Sequence, residues 1–178
     1  MAENDQQIHP WQHDILDAFT GAGVGHVSYV PDGGHKGLIQ LCHAANGIGT
    51  SVLTTEEEGI PLGAGLWLGG VKSALLMQSS GVGNCINMLT MAESCRFPLF
   101  TLVTMRGEWG EFVPWQIPMG RRVEPILTAM GLDCYRCEAP EEVGPTVTAG
   151  LAQAYQCDRP VAVILAQRLI GGKNWSGQ

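Results

Sequence analysis

The chain has 178 residues, 45% apolar and only 15% charged, and 17 acids against 10 bases leave it at −7. That balance excludes intrinsic disorder, and it argues against wholesale binding of nucleic acid or anionic membrane. No apolar run approaches the roughly 20 residues that a bilayer span needs.

A chain of this length predicts one domain that needs no disulfide or metal staple. The low charge density suggests surface covered by a partner. Six cysteines (Cys42, Cys85, Cys95, Cys134, Cys137 and Cys157) fall mostly in apolar segments and read as buried thiols. The polar, acidic start MAENDQQIHPWQ is unlike a secretory signal, so the expected compartment is the cytoplasm.

Apolar residues at 11, 15, 16 and 19 predict a helix over Trp11 to Thr20, stopped by Gly21 and Gly23. His26 to Val30 reads as a strand closed by Pro31-Asp32-Gly33-Gly34, and His35 to Ala45 as a helix. A strand over Thr50 to Leu53 feeds a helix from Glu56 to Leu68. Ser73 to Met77 is the next strand, followed by a Gly-containing turn and a helix from Asn84 to Cys95. Pro98 to Thr104 is extended, and Met105 to Gly120 is an irregular stretch rich in Gly and Pro. A helix over Val123 to Met130, a short strand at Cys134 to Cys137, a helix over Ala139 to Tyr155 and a strand over Val161 to Ala166 complete the pattern.

Apolar strands alternating with helices predict an α/β domain of three layers, with a parallel sheet of about six strands flanked by helices. One domain over 1–178 is expected, with a C-terminal tail from about 168. Ligands of such sheets bind beyond the carboxyl ends of the strands. Here that places loops 31–36, 54–58, 78–84 and 104–120 at the ligand end.

Loop 54–58 reads Thr-Thr-Glu-Glu-Glu. Thr55 as N-cap with Glu58 three residues on is a capping box. A capping box does not use all three acids, and a carboxylate at a strand end also suits acid–base work. The turn Gln78-Ser-Ser-Gly-Val-Gly-Asn84 offers backbone amides to an anion. It is not a dinucleotide fingerprint, because Ile86 stands where the third glycine belongs. Cys134-Tyr-Arg-Cys137 lacks a second ligand pair, so no metal site is assigned. The long loop from Met105, with two tryptophans and Arg106, reads as a functional or interface segment.

Taken together, these loops resemble the pyrimidine-binding domain of thiamine diphosphate-dependent decarboxylases. The resemblance rests on Glu56 nine residues before Gly65 in EEEGIPLGAG, and on a G-x-G turn followed by Asn in SSGVGNCINML. The runs LLMQSSGVGN, RGEWGEFVPWQIPMG and QRLIGGK are similar to the alpha chains of split sulfopyruvate decarboxylases and to phosphonopyruvate decarboxylases. This likeness extends from Val30 to Lys173, and Trp109 after Arg106-Gly-Glu tips it towards sulfopyruvate.

The resemblance implies that Glu56 hydrogen-bonds the aminopyrimidine ring nitrogen of thiamine diphosphate. It places Gly81, Val82, Gly83 and Asn84 beside the cofactor, and leaves Glu57 and Glu58 to capping. The family anchors diphosphate and Mg²⁺ through Gly-Asp-Gly, which this chain lacks. The implied partner is therefore a beta subunit with the diphosphate-binding half and the metal ligands, and self-association is expected as well. The implied substrate is a small 2-oxo acid, with phosphonopyruvate or another 2-oxo acid, or a non-catalytic partner role, as alternatives. A sulfonate needs cationic donors, for which His35, Lys36 and Arg106 are the candidates, with Arg121 and Arg122 further away. An ordinary surface cation is the alternative for each.

Overall fold

The computed structural model describes residues 8–171. Six strands form one parallel sheet: β1 (Val24–Tyr29), β2 (Gly49–Val52), β3 (Lys72–Gln78), β4 (Leu99–Thr104), β5 (Asp133–Cys137) and β6 (Pro160–Leu165). Their spatial order is β2-β1-β3-β4-β6-β5, and every pairing is parallel. The helices are α1 (Pro10–Ala22), α2 (Lys36–Ala44), α3 (Gly59–Leu68), α4 (Ser79–Cys95), α5 (Gln116–Gly120), α6 (Val123–Ala129), α7 (Pro140–Gln156) and α8 (Gln167–Ile170).

Alternating strand residues supply two cores, as the two-residue period of a strand requires. Leu76, Phe100, Leu102, Val161 and Val163 pack with Ile15 and Phe19 of α1, Leu38 of α2, and Val147 and Leu151 of α7. Leu75, Met77, Leu99, Val103 and Ile164 belong to the opposite core, with Ile60 of α3, Leu89 of α4 and Leu127 of α6. Burying each such side chain contributes about 1.5–3 kcal/mol, and the double coverage explains why the central strands lack polar alternation. The α/β architecture expected from the sequence is what the chain adopts.

The strand order reverses between β1 and β3, with β2 on one side and β4 on the other. This is the switch point where ligand crevices form in open α/β sheets. The segments leaving β1, β2, β3 and β4 all converge on this carboxyl edge.

Several local expectations need correction. The turn at 78–84 is not a turn, because α4 starts directly at Ser79. Gly81 and Gly83 therefore lie in its first two turns. The helix expected from Glu56 begins as one 3-10 turn, Glu56–Glu58, before α3. Its capping box is absent: Thr55 makes no side-chain cap, and Glu58 Oε2 instead accepts from the Thr54 amide at 2.9 Å. The irregular stretch contains the short helix α5, and α8 occupies the start of the expected tail. The remainder of that tail, from 172, lies outside the described residues.

Candidate active site

Glu56 leaves the end of β2 and lies only 8% exposed beneath the start of α4. Its Oε2 accepts a hydrogen bond from Asn84 Nδ2 at 2.9 Å. A Cβ at position 81 would fall within the Glu56 carboxyl group, so only glycine lets the carboxylate lie flat on this turn. The location beside the N-terminus of a 17-residue helix suits a negative charge. None of the ion pairs among the described residues involves Glu56. The result is a nearly buried carboxylate with one neutral donor and unfilled acceptor capacity, the condition of a group that receives a donor from a ligand. Glu57 and Glu58 are exposed.

The other residues expected beside the cofactor have different surroundings. Val82 is fully buried and its side chain belongs to the core shared with Leu89 and Met77. Gly83 is half-buried, and a Cβ there would sit 3.6 Å from Met119 Sδ on α5. Asn84 is exposed apart from its bond to Glu56. Cys85, next along α4, is buried, and burial pushes its thiol up to about 12, with Glu56 and Glu57 adding to the effect. It is no nucleophile at neutral pH.

His35 does not take the surface position expected for a substrate cation. It is 1% exposed, and its Nε2 lies 3.2 Å from the Met77 carbonyl and 3.1 Å from that of Leu102. Two carbonyl acceptors require Nε2 to carry the proton. Burial lowers the ring's pKa below its ordinary value, against the opposing pull of Asp32 and the two carbonyls, so the ring is neutral. Its role in this chain is to tie down the ends of β3 and β4. Lys36, by contrast, is exposed.

Asp32 forms the centre of a second polar cluster that the sequence left unassigned. Its Oδ2 accepts from Thr104 Oγ1 at 2.6 Å and from the Gly34 amide at 3.1 Å, and its Oδ1 from Gln78 Nε2 at 3.0 Å. Burial pushes Asp32 up, but these three donors outweigh it and hold the carboxyl below its ordinary range. Gln78 Oε1 in turn accepts from Ser80 Oγ at 2.8 Å and from Gln116 Nε2 at 3.3 Å. Asp32, Gln78 and Thr104 each end a strand or begin a connection, and that position at the carboxyl edge was the sequence signal available.

Arg106 has its guanidinium committed. Nε and Nη2 donate to Glu111 at 2.6 and 2.7 Å, and its backbone amide donates to Ser79 Oγ at 3.0 Å. Arg122 donates to the Pro118 carbonyl at 2.8 Å, and Arg121 is exposed. Cys134 and Cys137 are separate free thiols on β5. Among the described residues, no group of three or more His, Cys, Asp or Glu side chains is placed to hold a metal ion.

No protein-family model matches the chain. The alpha subunit of sulfopyruvate decarboxylase from Methanocaldococcus jannaschii is 32% identical over 151 residues, which are 84% of this chain and 89% of that protein. The chain belongs to the sulfopyruvate decarboxylase alpha-subunit family. A phosphonopyruvate decarboxylase from Streptomyces hygroscopicus is 35% identical, but over 99 residues that are 55% of this chain and 25% of that protein. Likeness to the sulfopyruvate decarboxylase alpha subunit thus runs along far more of both chains.

The fold also superposes on 2-oxoglutarate:ferredoxin oxidoreductase from Magnetococcus marinus, with a TM-score of 0.70 and 15% identity. That match covers 94% of this alpha-subunit family member and 33% of the oxidoreductase chain. At that identity the likeness is one of fold.

Proposed function

We propose that this chain is the alpha subunit of a thiamine diphosphate-dependent sulfopyruvate decarboxylase, which converts 3-sulfopyruvate to sulfoacetaldehyde and carbon dioxide. The observation that carries the reading is Glu56 laid flat on Gly81 with acceptor capacity to spare. That arrangement fits the pyrimidine half of the cofactor, whose ring offers a nitrogen for such a carboxylate to hold. When bound, thiamine diphosphate supplies the electron sink for loss of carbon dioxide from a 2-oxo acid.

Glu56 is then the residue that hydrogen-bonds the ring nitrogen, and Asn84 fixes the carboxylate from its other side. Gly81 and Gly83 leave the positions facing Glu56 and Met119 without a side chain, while buried Val82 anchors those turns to the core. Lys36 is the candidate cation for the sulfonate, being exposed at the carboxyl edge.

The diphosphate and Mg²⁺ are assigned to a beta subunit, because the chain has no Gly-Asp-Gly. Exposed apolar side chains at Val52 (64%) and Leu68 (87%) support a covering partner chain. We place the whole chain, 1–178, in one pyrimidine-binding domain of a cytoplasmic hetero-oligomer.

The test is release of carbon dioxide from sulfopyruvate, phosphonopyruvate and pyruvate. The chain is assayed alone and co-expressed with a Gly-Asp-Gly partner, with thiamine diphosphate and Mg²⁺ present. Turnover of sulfopyruvate by the pair only is the expected result. Preference for phosphonopyruvate would reassign the substrate, and no turnover of any 2-oxo acid would overturn the enzymatic reading.

A further inference from the structure

The loop from Met105 to Gly120 is organised around one side chain. Glu111 is 1% exposed at its side chain and accepts five hydrogen bonds. Two come from Arg106; the others come from the Gly107 amide at 3.1 Å, the Val113 amide at 3.0 Å and Gln167 Nε2 at 2.9 Å. Arg106 and these donors hold the Glu111 carboxyl far below the usual carboxylate range, against the opposing effect of burial.

Gln167, at the start of α8, pins the loop from outside. Its Oε1 accepts from the amides of Glu108 at 2.8 Å and Trp109 at 3.1 Å, and its own amide donates to Glu108 Oε2 at 3.1 Å. The neck of the loop is closed by backbone contact. A Cβ on Gly107, whose φ is +80°, would collide with the Gln116 carbonyl, and one on Gly120 with that of Arg106.

The far side of this loop lies against the candidate cofactor residues. Arg106 N is bonded to Ser79 of α4, Gln116 to Gln78, and Met119 lies beside Gly83. Fixing the loop therefore fixes what stands over the first two turns of α4.

We propose that Glu111 and Gln167 are positioning residues that hold the 105–120 loop closed over the start of α4, and that Arg106 is the latch of this loop, not a sulfonate ligand. The consequence for catalysis rests on the decarboxylase reading above. The geometry of the latch does not.

Arg106→Ala, Glu111→Ala and the double variant, each assembled with the partner chain, test the proposal by two readouts. The first is acrylamide quenching of tryptophan fluorescence, since Trp109 and Trp115 ride on the loop and are 51% and 76% exposed. Each single variant should raise quenching, and the double variant should raise it no further. The second is KM for sulfopyruvate, expected to rise about tenfold in each single variant and no further in the double variant. Gln167→Leu leaves the ion pair in place and should give the same changes in weaker form, which covers a failure of either alanine variant to fold.

Arg106→Ala raising KM while Glu111→Ala and Gln167→Leu change neither readout would overturn the latch and make Arg106 a substrate ligand. So would KM effects that multiply in the double variant. If the wild-type pair does not turn over sulfopyruvate, the functional reading fails while the quenching comparison still decides the latch.

Discussion

The Glu56 carboxylate packs so closely against Gly81 that a Cβ there would collide with its Cδ, and Asn84 holds its Oε2 at 2.9 Å. Two segments far apart in sequence, the end of β2 and the first turn of α4, thereby present one acceptor at the switch point of the sheet.

Glu56→Gln keeps the shape and still accepts the Asn84 bond, but removes the charge that the proposed function assigns to holding the cofactor ring. In the assembled enzyme, kcat should fall by about 100-fold or more. Stability should stay within about 1 kcal/mol. Steady-state decarboxylation and thermal melts of the same preparation check both, and normal turnover would remove Glu56 from the reaction.

Gly81→Ala puts a methyl group where the carboxyl group lies. Glu56 must shift or α4 must move, an overpacking that costs about 1–3 kcal/mol. On the proposed function, thiamine diphosphate should bind less tightly, because the acceptor assigned to its ring is displaced. Titration of the cofactor into the assembled variant is the check, and unchanged affinity with unchanged stability would contradict the packing described.

Glu58→Gln makes the opposite prediction for the acid two residues away. Its contact is the exposed Thr54 amide, and an amide oxygen can still accept that bond. The cost should stay under about 1 kcal/mol, with decarboxylation as in wild type. A large activity loss would mean that the wrong acid of the three had been chosen.

His35 gives a pH dependence of definite sign. In the unfolded chain it protonates near its ordinary pKa, about 6.5, whereas burial holds the folded ring below that value. Below about pH 6.5 the unfolded state binds more protons, so stability is full above that pH and falls on acidification, by at most about 1.4 kcal/mol per pH unit for this group. His26, whose pKa burial also lowers, acts in the same direction. Denaturant melts between pH 7.5 and pH 5 should show a shallower acid decline for His35→Gln than for wild type, and equal slopes would refute a neutral buried ring.

The residues of loop 54–58 alone left three acids open, and Glu56 stood out only through the resemblance of EEEGIPLGAG to a family pattern. The sequence did not separate the start of α4 from a loop. Glycines at 81 and 83 signal a turn in isolation, and only packing against the Glu56 carboxylate shows why a helix tolerates the first of them. The partners of His35 and Arg106 were hidden in the sequence for a common reason. A sequence shows that a side chain can carry charge, but not whether its partner lies at Leu102, 67 positions on, or at Glu111 across a closed loop.

What the sequence by itself determined is the class of fold and the order of its elements. These follow from periodicity and from residue types set side by side along the chain. Which polar groups are spent on one another was decided by the tertiary structure alone. Burial and hydrogen-bond geometry depend on distances through space, and those made Asp32 a hub, His35 a neutral tie between strands and Glu111 the core of a loop.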